Sequence, residues 1–142
     1  MYQRIYQAYQ LLGNGDKADL KRCNLKKLAD SAAYFRVLKF SGVKDTPQTQ
    51  RILYLFVGIK VNEELGVSVA QALLNAGVKE EQIIQITRSG DNGIDYLKRQ
   101  LVRCDNIKLE SIGKLAQFWG DNARRNLLKN FILSVNEPQA VS

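Results

Sequence analysis

Apolar side chains recur along this chain at steps of three and four. Tyr2, Ile5, Tyr6, Tyr9 and Leu12 form the first such stripe, the spacing that lines one face of an α-helix. Gly13-Asn14-Gly15 closes it. Asp16 is positioned to cap a short second helix reaching about Cys23, and Asp30 a third reaching Phe40, with Gly42 as its stop. Thr46-Pro47 pairs an N-cap residue with proline at the first helical position. The helix it opens runs to about Lys60 and is apolar on most faces, which predicts a central place in the core. Beyond it, Ser68 opens a helix ending at Asn75-Ala76-Gly77, and Lys79–Arg88 forms the next. Asp91 or Asn92 starts one running to about Cys104. Lys108–Trp119 follows, and Asp121 caps the last, which reaches about Val135. Glu137–Ser142 reads as a loose tail. Nothing alternates with period two over a useful length, so strands are not expected.

The pattern therefore predicts an all-α fold, a helical bundle of about eight to nine helices. Val61–Gly66 is the natural junction, dividing the chain into an N-terminal lobe over residues 1–61 and a C-terminal lobe over 66–142. Hydrophobic residues make up 45% of the 142 positions, enough to build a core and to exclude global disorder. The longest apolar run, Ile52–Ile59, is broken by Gly58 and is too short to span a bilayer. With no N-terminal apolar segment of signal-peptide type, a cytoplasmic protein without a membrane partner is expected. Cys23 and Cys104 fall at apolar helical positions and read as reduced thiols.

Charge alters this picture because it is uneven. Residues 1–60 carry 11 basic and 4 acidic side chains, whereas residues 61–142 carry 10 of each. The whole net charge of +7 thus lies in the first part of the chain, as in a protein with one face for a polyanion; an ordinary basic surface is the plain alternative.

Catalytic chemistry is sparse. There are no histidines, which removes the commonest general base and zinc ligand. Gly13-Asn14-Gly15-Asp16-Lys17 lacks the spacing of a phosphate-binding loop. Glu63-Glu64 and Glu80-Glu81 are sequence neighbours, which do not face each other on a helix. A non-enzymatic protein without cofactor or metal is expected.

The remaining chemistry is cationic. Lys17, Lys21 and Arg22 crowd one short helix, followed by Lys26 and Lys27, and like charges four apart repel. Arg99 and Arg103 share a face opposite Ile94, Leu97, Leu101 and Cys104, with Lys98 at the flank. Arg124 and Arg125 stand in the first turn of the last helix, where cations oppose the helix dipole. Each group reads either as a solvated face or as a phosphate contact. Trp119 reads as a core residue. No recognition helix or aromatic sheet platform for base reading is evident.

Several strings in order carry a resemblance. Tyr6-Gln7-Ala8-Tyr9-Gln10-Leu11-Leu12-Gly13-Asn14-Gly15, Leu20-Lys21-Arg22 and Ala33-Tyr34-Phe35-Arg36-Val37-Leu38 lie in the first half. Gly66-Val67-Ser68-Val69-Ala70-Gln71-Ala72-Leu73, Tyr96-Leu97-Lys98-Arg99-Gln100-Leu101, Phe118-Trp119-Gly120 and Leu127-Leu128-Lys129-Asn130-Phe131-Ile132-Leu133 lie in the second. In this order the chain resembles the CasB family, the small subunit of the type I-E CRISPR surveillance complex, Cascade. The resemblance implies two small helical lobes and no catalytic activity. It implies that two copies lie head-to-tail within the complex, bracing the backbone that bears the crRNA and lining a path for target DNA and the displaced strand. Other Cascade subunits are the implied protein partners. The family's basic positions fall at Lys21, Arg22, Arg88, Lys98 and Arg99, and around Arg124 and Arg125. The chain departs from the family at Gln48, Ala70, Gln71 and Glu81-Gln82 and has a shorter Lys60–Gly66 connection. Together, residues and resemblance nominate Lys17, Lys21, Arg22, Arg51, Arg88, Lys98, Arg99, Arg103, Arg124, Arg125 and Lys129 as nucleic-acid contacts. A free-standing helix-turn-helix regulator and a scaffold whose arginines bridge protein partners are the competing expectations.

Overall fold

The computed structural model describes residues 1–135; the expected loose tail at Glu137–Ser142 lies outside them. Ten α-helices dominate the described residues. In chain order they are α1 (Tyr2–Gln10), α2 (Asn14–Arg22), α3 (Leu25–Ala29), α4 (Ala32–Ser41), α5 (Pro47–Phe56), α6 (Val69–Asn75), α7 (Glu80–Arg88), α8 (Gly93–Leu101), α9 (Leu109–Gln117) and α10 (Asp121–Ser134). The fold is all-α, as expected, with one helix more than the upper expectation. The addition is α3, a five-residue turn whose N-cap Asn24 accepts from the Lys27 amide at 2.8 Å. Five residues carry too little apolar periodicity to announce a helix.

Local chemistry explains most boundaries. The hydroxyls of Thr46 and Ser68 accept from the amides of Thr49 and Gln71, both at 3.1 Å, capping α5 and α6. Gly42 closes α4 in the left-handed conformation at φ 72°. Four expectations shift. Ser31, not Asp30, caps α4, its Oγ accepting from Tyr34 at 3.1 Å. α2 begins at Asn14 behind Gly13, which leaves Asp16 inside the first turn. Gly120 is the N-cap of α10 and Asp121 its first residue. α5 stops at Phe56, short of Lys60.

α5 is the centre of the core, as its all-round apolarity predicts. Ile52, Leu53, Leu55 and Phe56 are fully buried, and α1, α3 and α9 pack around it. α1 also contacts α4, while α10 lies across α6 and α7. Cys104 is buried, which pushes its thiol up to about 11; Cys23 is half-buried, and both thiols are free.

A short sheet departs from the purely helical expectation. β1 (Val61–Asn62) pairs in parallel with β2 (Ile107–Lys108), Val61 facing Ile107 and Asn62 facing Lys108. On the other side of β2, the Val67 amide donates to the Asn106 carbonyl and the Lys108 amide to the Val67 carbonyl, each at 2.8 Å. The 60–67 connection therefore grips residues 106–108 from two sides. Gly66 permits the close approach, since a Cβ there would collide with the backbone of Ile107 and Lys108. Two residues cannot show an alternating pattern, so no signal in the sequence announces this pair.

Candidate nucleic-acid interface

The nominated cations separate into those left open to solvent and those whose donors are spent on the fold's own carbonyls and carboxylates. Three satisfy carbonyls at the C-terminal ends of neighbouring helices, where free carbonyls and the negative dipole end call for a cation. The Arg51 guanidinium, on α5, donates to the carbonyls of Ala116 at 2.8 Å and Gln117 at 3.0 Å, closing α9. The Lys98 ammonium, on α8, donates to the Tyr54 carbonyl in the last turn of α5 at 2.6 Å and stands 3.9 Å from the centre of the Tyr54 ring. Arg103 reaches the Ala76 carbonyl at the end of α6 at 3.4 Å. It lies past the end of α8, so the face it was expected to share with Arg99 is not formed.

Arg124 is also turned inward. Its residue is only 9% exposed, its guanidinium lies 5.6 Å from the Trp119 ring, and Nη2 donates to Asp121 at 2.6 Å. Among the described residues its buried Nη1 has no partner. Trp119 is buried as expected and donates to the Gly90 carbonyl at 3.3 Å. Arg125, one residue on, is exposed. The pair expected to act together in the first turn of α10 is thus divided by the helix's own geometry, one toward the core and one toward solvent.

The solvent-facing set is Lys21, Arg22, Arg88, Arg99, Arg125 and Lys129, together with Arg103, which is exposed although tied to Gln100 and Ala76; Lys17 is half-buried 5.8 Å from the Tyr9 ring. Crowding on α2 is offset only in part, at Arg22. Arg22 pairs with Asp19 at 2.6 Å, and both carboxylate oxygens of Asp16 accept from Arg36 of α4 at 2.8 Å. Exposed pairs of this kind contribute little to stability.

The convergence that matters brings Lys21 of α2 together with Lys98 and Arg99 of α8 around one cleft of about 360 Å³. Cys23 and Val102 add to its walls, as do Asn24, Tyr54 and Asp95. Sequence patterns do not single out these last three, because only tertiary packing places them beside the cations. The Tyr54 hydroxyl donates to one oxygen of Asp95 at 2.7 Å, so this carboxylate is fixed in place and three cations stand against one acid in the cleft. Burial pushes the Lys98 ammonium down to about 8, against the opposing pull of Asp95. An anion entering the cleft would meet one solvated ammonium, one guanidinium and one poorly hydrated ammonium already fixed by a helix end. Preorganised donors of this kind suit phosphate oxygens.

Among the described residues no group of three or more histidine, cysteine or acidic side chains could hold a metal ion. No described helix is long and apolar enough to cross a membrane.

No protein-family profile matches the chain. It is similar to the CRISPR system Cascade subunit CasB of Escherichia coli (strain K12), with 26% identity over 150 residues covering 94% of this chain and 93% of the relative. It is also similar to a chain in the crystal structure of E. coli Cascade bound to a PAM-containing double-stranded DNA target. That match has a TM-score of 0.77 and 26% identity, and covers 92% of this chain and 95% of the other. The chain is thus similar in sequence to CasB and in fold to a chain of Cascade, in agreement with the resemblance carried by its ordered strings.

Proposed function

Proceeding from this CasB-like character, we propose that the protein is a non-catalytic small subunit of a type I-E CRISPR RNA-guided complex. It braces the crRNA-bearing backbone and holds target DNA and the displaced strand through their phosphates. The observation that carries the reading is the near-full-length likeness, in sequence and in fold, to a subunit of Cascade. The Lys21–Lys98–Arg99 cleft supplies the chemistry. RNA-guided strand exchange replaces one set of base pairs by another of similar stability. A modest affinity for the freed strand is then enough to tip the balance, and charge with shape suffices for it. In this reading Lys21 and Arg99 bear the strand at the cleft, and Arg22, Arg88, Arg125 and Lys129 extend the basic surface, with Lys17 at its margin. Arg51, Lys98, Arg103 and Arg124 hold the helices that present them, Lys98 also facing the cleft.

The partners proposed are crRNA, target DNA, the other Cascade subunits and a second copy of the chain, head-to-tail. Phe35, Phe40 and Leu65, respectively 49%, 48% and 82% exposed, are candidate contacts for the protein partners. The site of action is the cytoplasm, where guide complexes meet invading DNA.

The test is reconstitution with guide RNA and the remaining subunits. Lys21→Ala combined with Arg99→Ala should weaken capture of the displaced strand and flatten its salt dependence by about 1.4 in log–log slope, about 0.7 for each single-strand phosphate that is no longer neutralised. An unchanged slope rejects the cleft. A complex that opens DNA equally well without this protein rejects the function.

A further inference from the structure

A second surface, on α10, is left unused by phosphate binding at the cleft. A groove of about 850 Å³ runs between α10, α9 and the start of α6. Asn122, Asn126 and Asn130 line it, each four residues from the next and therefore in one row along the helix. All three are exposed, and among the described residues their side-chain amides have no hydrogen-bond partner. Phe118 opens onto the same groove and is 63% exposed, although Trp119 beside it is buried. Arg125 and Lys129 are exposed too. At about 100° per residue they flank the asparagine row on the side away from the core-facing Leu127 and Phe131.

We infer that this groove receives the bases of an unpaired polynucleotide strand whose phosphates ride on Arg125 and Lys129. The inference rests on the reading of the protein as a nucleic-acid-binding subunit and adds base contact to it. Each carboxamide offers both donors and an acceptor, the combination that base edges require. An exposed phenyl ring accepts any base face by stacking. Steps of four residues advance about 6 Å along a helix, a stride suited to a strand drawn out of its stacked form. An extended peptide would also satisfy the amides. Charge favours the polyanion: Asp121, the acid in the lining, is engaged by Arg124, whereas Arg125 and Lys129 have no ion-pair partner among the described residues.

The experiment compares binding of the full chain, by fluorescence anisotropy, to a labelled single-stranded oligonucleotide and to an abasic strand of equal length. Wild type should prefer the base-bearing strand by about tenfold, the order of one stacked base. Phe118→Ala and Asn126→Leu should each lower that affinity toward the abasic value and leave abasic binding unchanged. Arg125→Ala with Lys129→Ala should weaken both. Equal binding of the two strands by the wild type overturns the groove and leaves the phosphate reading standing; binding of neither strand overturns that reading as well. If Phe118→Ala keeps the base preference but fails to assemble with the other subunits, the groove takes a protein segment and the inference is wrong.

Discussion

At the scale of single residues, a phosphate oxygen and a helix-terminal carbonyl ask for the same donor. Arg51, Lys98 and Arg103 answer the carbonyl, whereas Lys21 and Arg99 stay exposed at the cleft, where the proposed phosphate would meet them. This accounts for how far the site was legible. The sequence displays how many cations there are and which helix carries each, but the choice between the two acceptors is made by the neighbouring helix end. Arg124 makes the same point, since its inward turn onto Trp119 depends on a ring from the preceding turn. Replacing Arg51 by Met should cost about 1.5–3 kcal/mol, the range for hydrogen bonds to a charged group, read as a lower denaturation midpoint, with strand affinity unaffected. Lys98 should make binding pH-dependent. Its ammonium releases a proton near pH 8 in the free protein, with Asp95, Cys23, Tyr54, Lys21 and Arg99 around it. A bound phosphate favours the charged form, so binding takes up a proton above that pH. Strand affinity should fall as pH rises from 8 toward 10, and Lys98→Met should remove the added dependence. Folding has the opposite sign. An unfolded lysine keeps its proton up to its ordinary 10.5, so this residue's contribution to stability grows as pH rises between about 8 and that value. Urea titrations at several pH values would measure it.

At the scale of elements, stripes and caps decided the helices, and where they were strong the boundaries came out within a few residues. Thr46, Ser68 and Gly42 act where their chemistry predicts. The failures have a common cause: α3 and the β1–β2 pair are too short to carry a period, and both exist because the surrounding chain holds them. Close packing between elements is also hidden from a local reading. Gly113 of α9 lies under the Tyr2 ring of α1, and a Cβ there would stand 2.5 Å from ring carbons. The Tyr2 hydroxyl is in turn hydrogen-bonded to Gln117. Gly113→Ala should therefore push α1 outward and destabilise by about 1–3 kcal/mol, the usual cost of overpacking, despite alanine's better helix propensity. Tm and the near-ultraviolet tyrosine signal would report it. A gain in stability would show that α1 is loosely held.

For the whole molecule, the division into lobes at residues 1–61 and 66–142 stands as a proposal about organisation, and α9 crosses it. Although α9 comes from the second lobe by sequence, it packs on α5 and α1 of the first. A fragment ending at residue 61 would leave the apolar flank of α5 without its cover. We expect that fragment to be unfolded when expressed alone and to recover helicity when residues 66–142 are supplied in trans. The intact chain should melt in one transition by circular dichroism. Two separated transitions would establish independent lobes. The basic cleft belongs to the same architecture, since Lys21 lies on one side of the division and Arg99 on the other. Separating the lobes should therefore abolish strand binding at the cleft.

The clasp that residues 60–67 make around 106–108 has a mechanical consequence. Hydrogen bonds on both sides of β2 tie the exit of α5, the entry of α6 and the entry of α9 to one short stretch of backbone. A hinge at this point would have to break both rows together, so bending here is stiffer than the loop's length suggests. Within a larger machine such a piece moves as a strut. In the proposed complex it would pass on the displacement of whatever it touches, and the spacing between its two cationic surfaces would stay fixed while a bound strand changes shape.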